Sequence, residues 1–173
     1  MKRILSFTLA AFALTIACRA DEFTIDASHS KVIFKIKHLS ISTVTGHFGK
    51  FSGSFDVDPA KLTSLKTAAT IETSSIDTDE PKRDEHLRGA DFFDAVKYPQ
   101  MTFVSKEVKE SGMNKLSIAG DLTLRGVTKP VVLEAEFGGA VKDPWGGERA
   151  AFTAAATINR KDFGMTFNKA LDS

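Results

Sequence analysis

The 173-residue sequence has one cysteine, Cys18, one tryptophan, Trp145, and one tyrosine, Tyr98. Cys18 falls within the first twenty residues, so everything after it is without a disulfide, a catalytic thiol or a thiolate metal ligand. No low-complexity tract, internal repeat or linker divides the chain, which leaves no place for a second domain. Charge of one sign is also missing, with 23 basic residues against 22 acidic ones. Long apolar runs are missing too: the stretch from Ile4 to Ile16 is well short of the roughly 20 residues that cross a bilayer.

That short run has a different use. Lys2 and Arg3 precede it, and Cys18-Arg19-Ala20 follows with small residues at the −3 and −1 positions of a cleavage site. Residues 1–20 therefore read as a cleaved export signal. Thr15-Ile16-Ala17-Cys18 also loosely resembles a lipoprotein processing site, which would place acyl chains on Cys18. A first strand beginning at about Phe23 leaves little tether for such an anchor. Removing residues 1–20 takes away Lys2, Arg3 and Arg19, leaving 20 basic and 22 acidic residues, a net charge of −2 with His neutral. Such a chain is a poor partner for nucleic acid. Residues 21–173 suit one domain, stabilised by burial and a closed hydrogen-bond ladder.

The dominant pattern is alternation. Val32, Phe34, Ile36 and His38 share one face, while Lys31, Lys35 and Lys37 share the other. The same period recurs in Phe51 to Val57, Ala69-x-Ile71, Leu116 to Leu124, Val131 to Phe137 and Phe152 to Ile158. Ser111 to Asn114, Arg125 to Pro130 and Asp143 to Gly147 read as the turns between them, so neighbouring strands are expected to be antiparallel. Seven or eight such strands either stack as two sheets or close into a barrel, and alternation alone does not choose. One helix is expected from Glu80 to Arg88, with Thr78 or Asp79 as cap, Pro81 in the first turn and Gly89 past the end. With the turn at Asp91 to Asp94, it is expected to cover one mouth of the barrel.

A set of ordered fragments carries a resemblance. They begin with Ile25-Asp26-x-x-His29-Ser30-x-Val32-x-Phe34-x-Ile36-x-His38 and Gly46-x-Phe48-x-x-Phe51-x-Gly53. Ser75-Ile76-Asp77-Thr78, Arg83-Asp84-x-His86-Leu87, Asp91-Phe92-Phe93 and Tyr98-Pro99-x-x-x-Phe103 follow. Gly120-x-Leu122-Thr123-Leu124-x-Gly126-Val127-Thr128-Lys129-Pro130 and Arg160-x-Asp162-Phe163-Gly164 complete them. In this order and spacing the chain resembles the YceI-like family of polyisoprenoid-binding proteins. The resemblance implies an all-β, antiparallel, eight-stranded lipocalin-like barrel in the periplasm. It also implies an apolar tunnel for an amphiphile such as a polyprenyl phosphate or an isoprenoid quinone. Arg125 stands where the family often has His, and Phe23 where it often has Trp or Tyr. After Phe163-Gly164 the family usually continues through a final strand, whereas this sequence stops at Ser173. A barrel with one strand fewer and a truncated last strand are the alternatives, either with an unpaired edge beside the gap.

On that reading the tunnel lining is Phe34, Ile36, His38, Phe51, Phe55, Ile71, Phe92, Phe93, Phe103, Leu122, Leu124, Phe152 and Ile158. Gly53, Ala69, Gly120, Ala135, Ala154 and Ala156 would leave room between the larger groups. Candidate head-group contacts are His38, Arg83, Asp84 and Arg160, although Arg83 and Asp84 also suit a purely structural pairing. His29, His38 and His47 recur every nine residues, an odd spacing that alternates faces and disfavours a shared metal. No nucleophile elbow, phosphate-binding glycine loop or clustered acid pair is present, so carriage is favoured over an enzyme acting on an isoprenoid lipid. The expectation is a protein that needs no cofactor, takes an isoprenoid lipid as ligand and contacts membranes transiently. A homodimer is compatible with all of this.

Overall fold

Alternation sorts each strand into an apolar and a polar face, and the ladder of the computed structural model brings the apolar faces together. The structure describes residues 21–38 and 42–167. The strands are β1 Asp21–Thr24, β2 Val32–His38, β3 Ser42–Phe48, β4 Phe51–Asp58, β5 Lys61–Glu72, β6 Ile76–Asp77, β7 Gln100–Gly112, β8 Lys115–Leu124, β9 Val127–Lys142 and β10 Glu148–Ala155. The helix α1 spans Pro81–Arg88. All strand pairs are antiparallel. Opposed positions run from Phe51 to Ile71 to Met101, from Gly53 to Ala69 to Phe103, and on from Phe103 to Leu122. Inward residues therefore form continuous rows across the sheet.

The eight expected strands are ten, arranged in two sheets. Seven strands run in the order β1-β4-β5-β7-β8-β9-β10, and β2-β3-β6 form a smaller sheet. The large sheet curls far enough for Phe55 of β4 to meet Phe152 of β10 edge to face, ring centroids 5.3 Å apart. Among the described residues no pairing joins β10 to β1 or β2, so this lipocalin-like cylinder is nearly closed, with one seam open. Residues 1–20, including Cys18, and residues 168–173 lie outside the described residues.

Two local expectations are corrected. The cap of α1 is Glu80, not Thr78 or Asp79: its carboxylate accepts the main-chain N–H groups of Lys82 (3.3 Å) and Arg83 (2.6 Å). The turn expected over Arg125 to Pro130 is only Arg125-Gly126, both with positive φ (52° and 72°), as a two-residue hairpin requires. Pro130 then sits inside β9, opposite Asp121. It is tolerated because β10 reaches only as far as Glu134, so that among the described residues β9 has no paired strand on that side at Pro130.

Candidate functional site

The concave face of the large sheet is an apolar trough whose depth is set by rings. Phe23 stacks on Phe55 (5.0 Å), Phe55 meets Phe152, and Phe152 meets Phe137 (4.9 Å). Beneath them Val57, Leu65, Leu116 and Ile118 are buried and form the floor. Phe55, Leu122, Leu133, Phe137 and Phe152 remain only half-buried. Two further clusters close the end next to α1. In one, Phe48, Ile71 and Ile76 pack with Phe34, Phe51 and Leu87; in the other, Leu124, Phe163 and Met165 pack with Leu122 and Val131. Phe93 belongs to both and meets Phe48 edge-on at 5.6 Å.

The expected lining residues separate by depth. Phe34, Phe51, Phe55, Phe93, Leu122 and Phe152 lie half-buried on the inner side, while Phe103 is buried in the floor and Ile71 and Leu124 in the clusters at the α1 end. Ile36 follows Phe34 on the same face of β2 but is 48% exposed. His38 ends β2, paired with Ser42, and its side chain lies outside the described residues. Phe92 is not in this row: its ring meets His86 (5.0 Å) and Phe167 (5.4 Å), with the Arg160 guanidinium 5.6 Å above it. Ile158 is a correction, since β10 ends at Ala155 and Ile158 is exposed in the following irregular segment.

The room expected at two glycines is also corrected. A Cβ on Gly120 would lie 2.5 Å from the Phe103 ring, and one on Gly53 would meet the Ala68 carbonyl oxygen at 2.4 Å and Ile25 at 2.9 Å. These glycines admit protein, not ligand, and at Gly120 the sheet is patched by an aromatic ring laid over it. Gly46 plays the same part on the small sheet, directly opposite Phe34, whose ring would lie 2.4 Å from its Cβ.

Of the head-group candidates, Arg83 and Asp84 are consumed locally. Buried Asp84 accepts the Thr78 main-chain N–H (3.0 Å) and hydroxyl (2.5 Å), and Arg83 donates to the Thr78 hydroxyl (2.7 Å) and carbonyl (2.6 Å). This lock fixes α1 to the loop before it. Arg160 borders the Phe92 ring as described. Sequence reading missed Arg125, whose guanidinium donates to the carbonyls of Ala90 (2.7 Å) and Gly164 and so ties both flanking segments to the β8–β9 turn. Its deviation from the resembled pattern was the available signal.

The seam is crossed by charge at one point. Arg149 on β10 donates to Asp143 (3.1 Å) and reaches Asp26, after β1, at 3.4 Å. Ser28's hydroxyl, then His29, hold the Asp26 carboxyl well below the usual carboxylate range. Ser28, His29 and Asp26 are the residue types of a hydrolytic triad, but both neighbours meet the same ring nitrogen, Nδ1, at 2.9 and 2.8 Å. A relay needs one partner on each nitrogen, so this is a surface turn. A cleft of about 510 Å³ lies outside the trough beside α1. It is lined by Asp77, Asp79, Glu80 and Asp84 with Arg88, whose guanidinium is spent on the carbonyls of Ser74 and Ile76. That lining is hostile to an apolar chain. Among the described residues no group of three or more His, Cys, Asp or Glu is arranged to hold a metal.

The architecture defines a class: a lipocalin-like, nearly closed antiparallel barrel with a short helix at one end and one seam open among the described residues. A family model described as the YceI-like domain matches residues 23–173. The chain belongs to that family. A protein YceI of Salmonella newport is 46% identical over 168 residues, covering 95% of this chain and 87% of its own. A UPF0312 protein of Vibrio cholerae is 42% identical over 167 residues, with 95% and 88% covered. Among solved structures, the Campylobacter jejuni YceI protein is 42% identical with a TM-score of 0.67, covering 83% of this chain and 84% of that one. Burkholderia cenocepacia BcnA is 28% identical with a TM-score of 0.75, covering 84% and 87%.

Proposed function

We propose that this protein is an exported, periplasmic lipid carrier that lays a long isoprenoid chain, of a polyprenyl phosphate or an isoprenoid quinone, along the trough without converting it. The observation that carries this reading is the half-buried state of Phe55, Leu122, Leu133, Phe137 and Phe152 on one concave face. A self-sufficient core would bury them fully; their partial exposure together on one face supports a wall that an apolar ligand can complete. The rings have no polar handle, which suits a ligand held by area and not by hydrogen bonds.

Energetics favour carriage. A chain of about forty carbons at ~0.8 kcal/mol per methylene would gain tens of kcal/mol against water, beyond any observed noncovalent affinity. The relevant competitor is a bilayer, which is already apolar. The net preference is then small, and exchange with membranes through transient contact follows. The Ser28-His29-Asp26 cluster places both neighbours on one ring nitrogen, the wrong geometry for a hydrolytic relay, and the reading is of a binding protein.

Mass spectrometry of the protein purified from its own host, run natively and after organic extraction, tests this. An unmodified isoprenoid is expected, and conversion of added lipid would refute the assignment. Phe152→Asp, at a half-buried wall position, should lower retention on the order of tenfold or more while circular dichroism stays unchanged. Undiminished retention in that folded variant would remove Phe152 from the binding wall.

A further inference from the structure

We propose that the β9–β10 hairpin is the element that docks the protein on a bilayer, with the Trp145 indole seated among uncharged or zwitterionic headgroups. The proposal rests on the carrier reading and adds the surface through which exchange takes place. The hairpin projects. The Phe137 N–H donates to the Asn114 carbonyl (2.8 Å), which marks the level of the β7–β8 turn. From there β9 continues through residues 138–142, roughly 16 Å at ~3.3 Å per residue, before the chain turns.

What the hairpin presents is apolar and firmly held. Trp145 is 86% exposed and Val141 66%. Val141 faces outward because the ladder shifts register between Ala151 and Phe152, inserting an extra residue at Gly138. The turn is not slack: Asp143 accepts the main-chain N–H groups of Trp145 and Gly147, both at 2.9 Å, and its own N–H donates to the Gly147 carbonyl (2.8 Å). An exposed indole carried on a hydrogen-bonded turn has the form of an interfacial anchor, since its ring is apolar and its N–H can still reach headgroup oxygens.

Charge decides which surface it meets. Lys142 pairs with Glu148 (3.9 Å) and Arg149 with Asp143 (3.1 Å), so residues 141–149 carry no net charge. An anionic membrane would gain little from such a tip, whereas a zwitterionic one loses nothing. One indole and one valine are too small a patch for a stable protein interface, which needs about 1,000 Å² or more. A fluid bilayer demands no complementary pocket. The anchor is also well placed: β10 starts at this hairpin, forms one lip of the open seam, and carries Phe152 four residues beyond Glu148.

Trp145 is the sole tryptophan and thus its own reporter. Added phosphatidylcholine vesicles should shift its emission to the blue, with quenching by lipids brominated near the headgroup and little change on raising salt. Trp145→Lys should lower co-sedimentation on the order of tenfold or more, and Trp145→Phe should retain most of it. Absence of a shift with phosphatidylcholine, unaltered binding by Trp145→Lys, or binding confined to anionic vesicles and abolished by salt would each overturn the proposal. So would a lipid-independent shift that tracks protein concentration, which would identify a second copy as occupant. Isoprenoid retention is measured separately on the same samples: retention without vesicle binding removes the docking site alone, and vesicle binding without retention removes the carrier reading alone.

Discussion

Replacing Gly46 by Ala tests whether the small sheet is held in register by a ring. Gly46 lies directly opposite Phe34, and a Cβ there would sit 2.4 and 2.7 Å from two ring carbons and 2.7 Å from the Thr78 methyl. All three are side-chain atoms, and Gly46 does not adopt a positive φ. Thr78 is 3% exposed and committed to Asp84 and Arg83, so it cannot withdraw cheaply. Phe34 in turn packs on Phe48 at 5.5 Å. Overpacking of this kind costs about 1–3 kcal/mol, against which alanine recovers about 0.5–1 kcal/mol of strand propensity. A contact of 2.4 Å places Gly46→Ala in the upper part of that range, so the balance is a loss of about 1–2.5 kcal/mol, or roughly 2–10 °C in Tm for a domain of this size. Urea unfolding of Gly46→Ala, Phe34→Leu and the double variant closes a mutant cycle, in which Gly46→Ala should cost at least ~1 kcal/mol less once the ring is gone. A Gly46→Ala variant as stable as the parent, or one whose cost is the same in both backgrounds, would refute the reasoning.

Asp84→Ala should destabilise by about 2–3 kcal/mol, read by urea unfolding, because it strands the Thr78 N–H and removes the acceptor of the Thr78 hydroxyl on which Arg83 also bonds; an effect below ~0.5 kcal/mol would contradict the lock. The β9–β10 turn should respond to acid alone. The Gly147 N–H, followed by the Trp145 N–H and Arg149, holds the Asp143 carboxyl below its ordinary 3.8 despite a partial opposing effect of desolvation. A lowered folded value means that this contribution is fully present above the unfolded value of 3.8 and is lost as pH falls through the folded one. Trp145 emission should accordingly be flat from about pH 8 to pH 5 and change only below about pH 4; a transition between about pH 6 and 7 would point to histidine.

Much of this architecture was legible because β structure with one wet face writes itself as a period of two. Phe51, Phe55, Phe103, Leu122 and Phe152 were assigned to the inner face from alternation, and the ladder places them there. Turn chemistry at 111–114 and 143–147 was similarly local. Alternation fails where the register shifts. Counting by twos from Val131 through Phe137 carries Val141 inward, yet the extra residue at Gly138 turns it out to solvent. The extension of the last strand to Ile158 failed for the opposite reason, since the alternation continues past the point at which pairing stops at Ala155.

The sequence by itself determined the family, the antiparallel order and the helix around Pro81, because each depends on neighbours within a few positions or on ordered motifs. Only the tertiary structure decided how deep the inward residues lie. Ile71, Phe103 and Leu124 became fully packed core and Phe55 and Phe152 half-open wall, according to how far the sheet curls and where its seam falls. The glycines show the same division: a missing side chain is visible in the sequence, but whether a ligand or a neighbouring ring takes its place depends on which strand lies across from it, and at Gly46 and Gly120 a ring does.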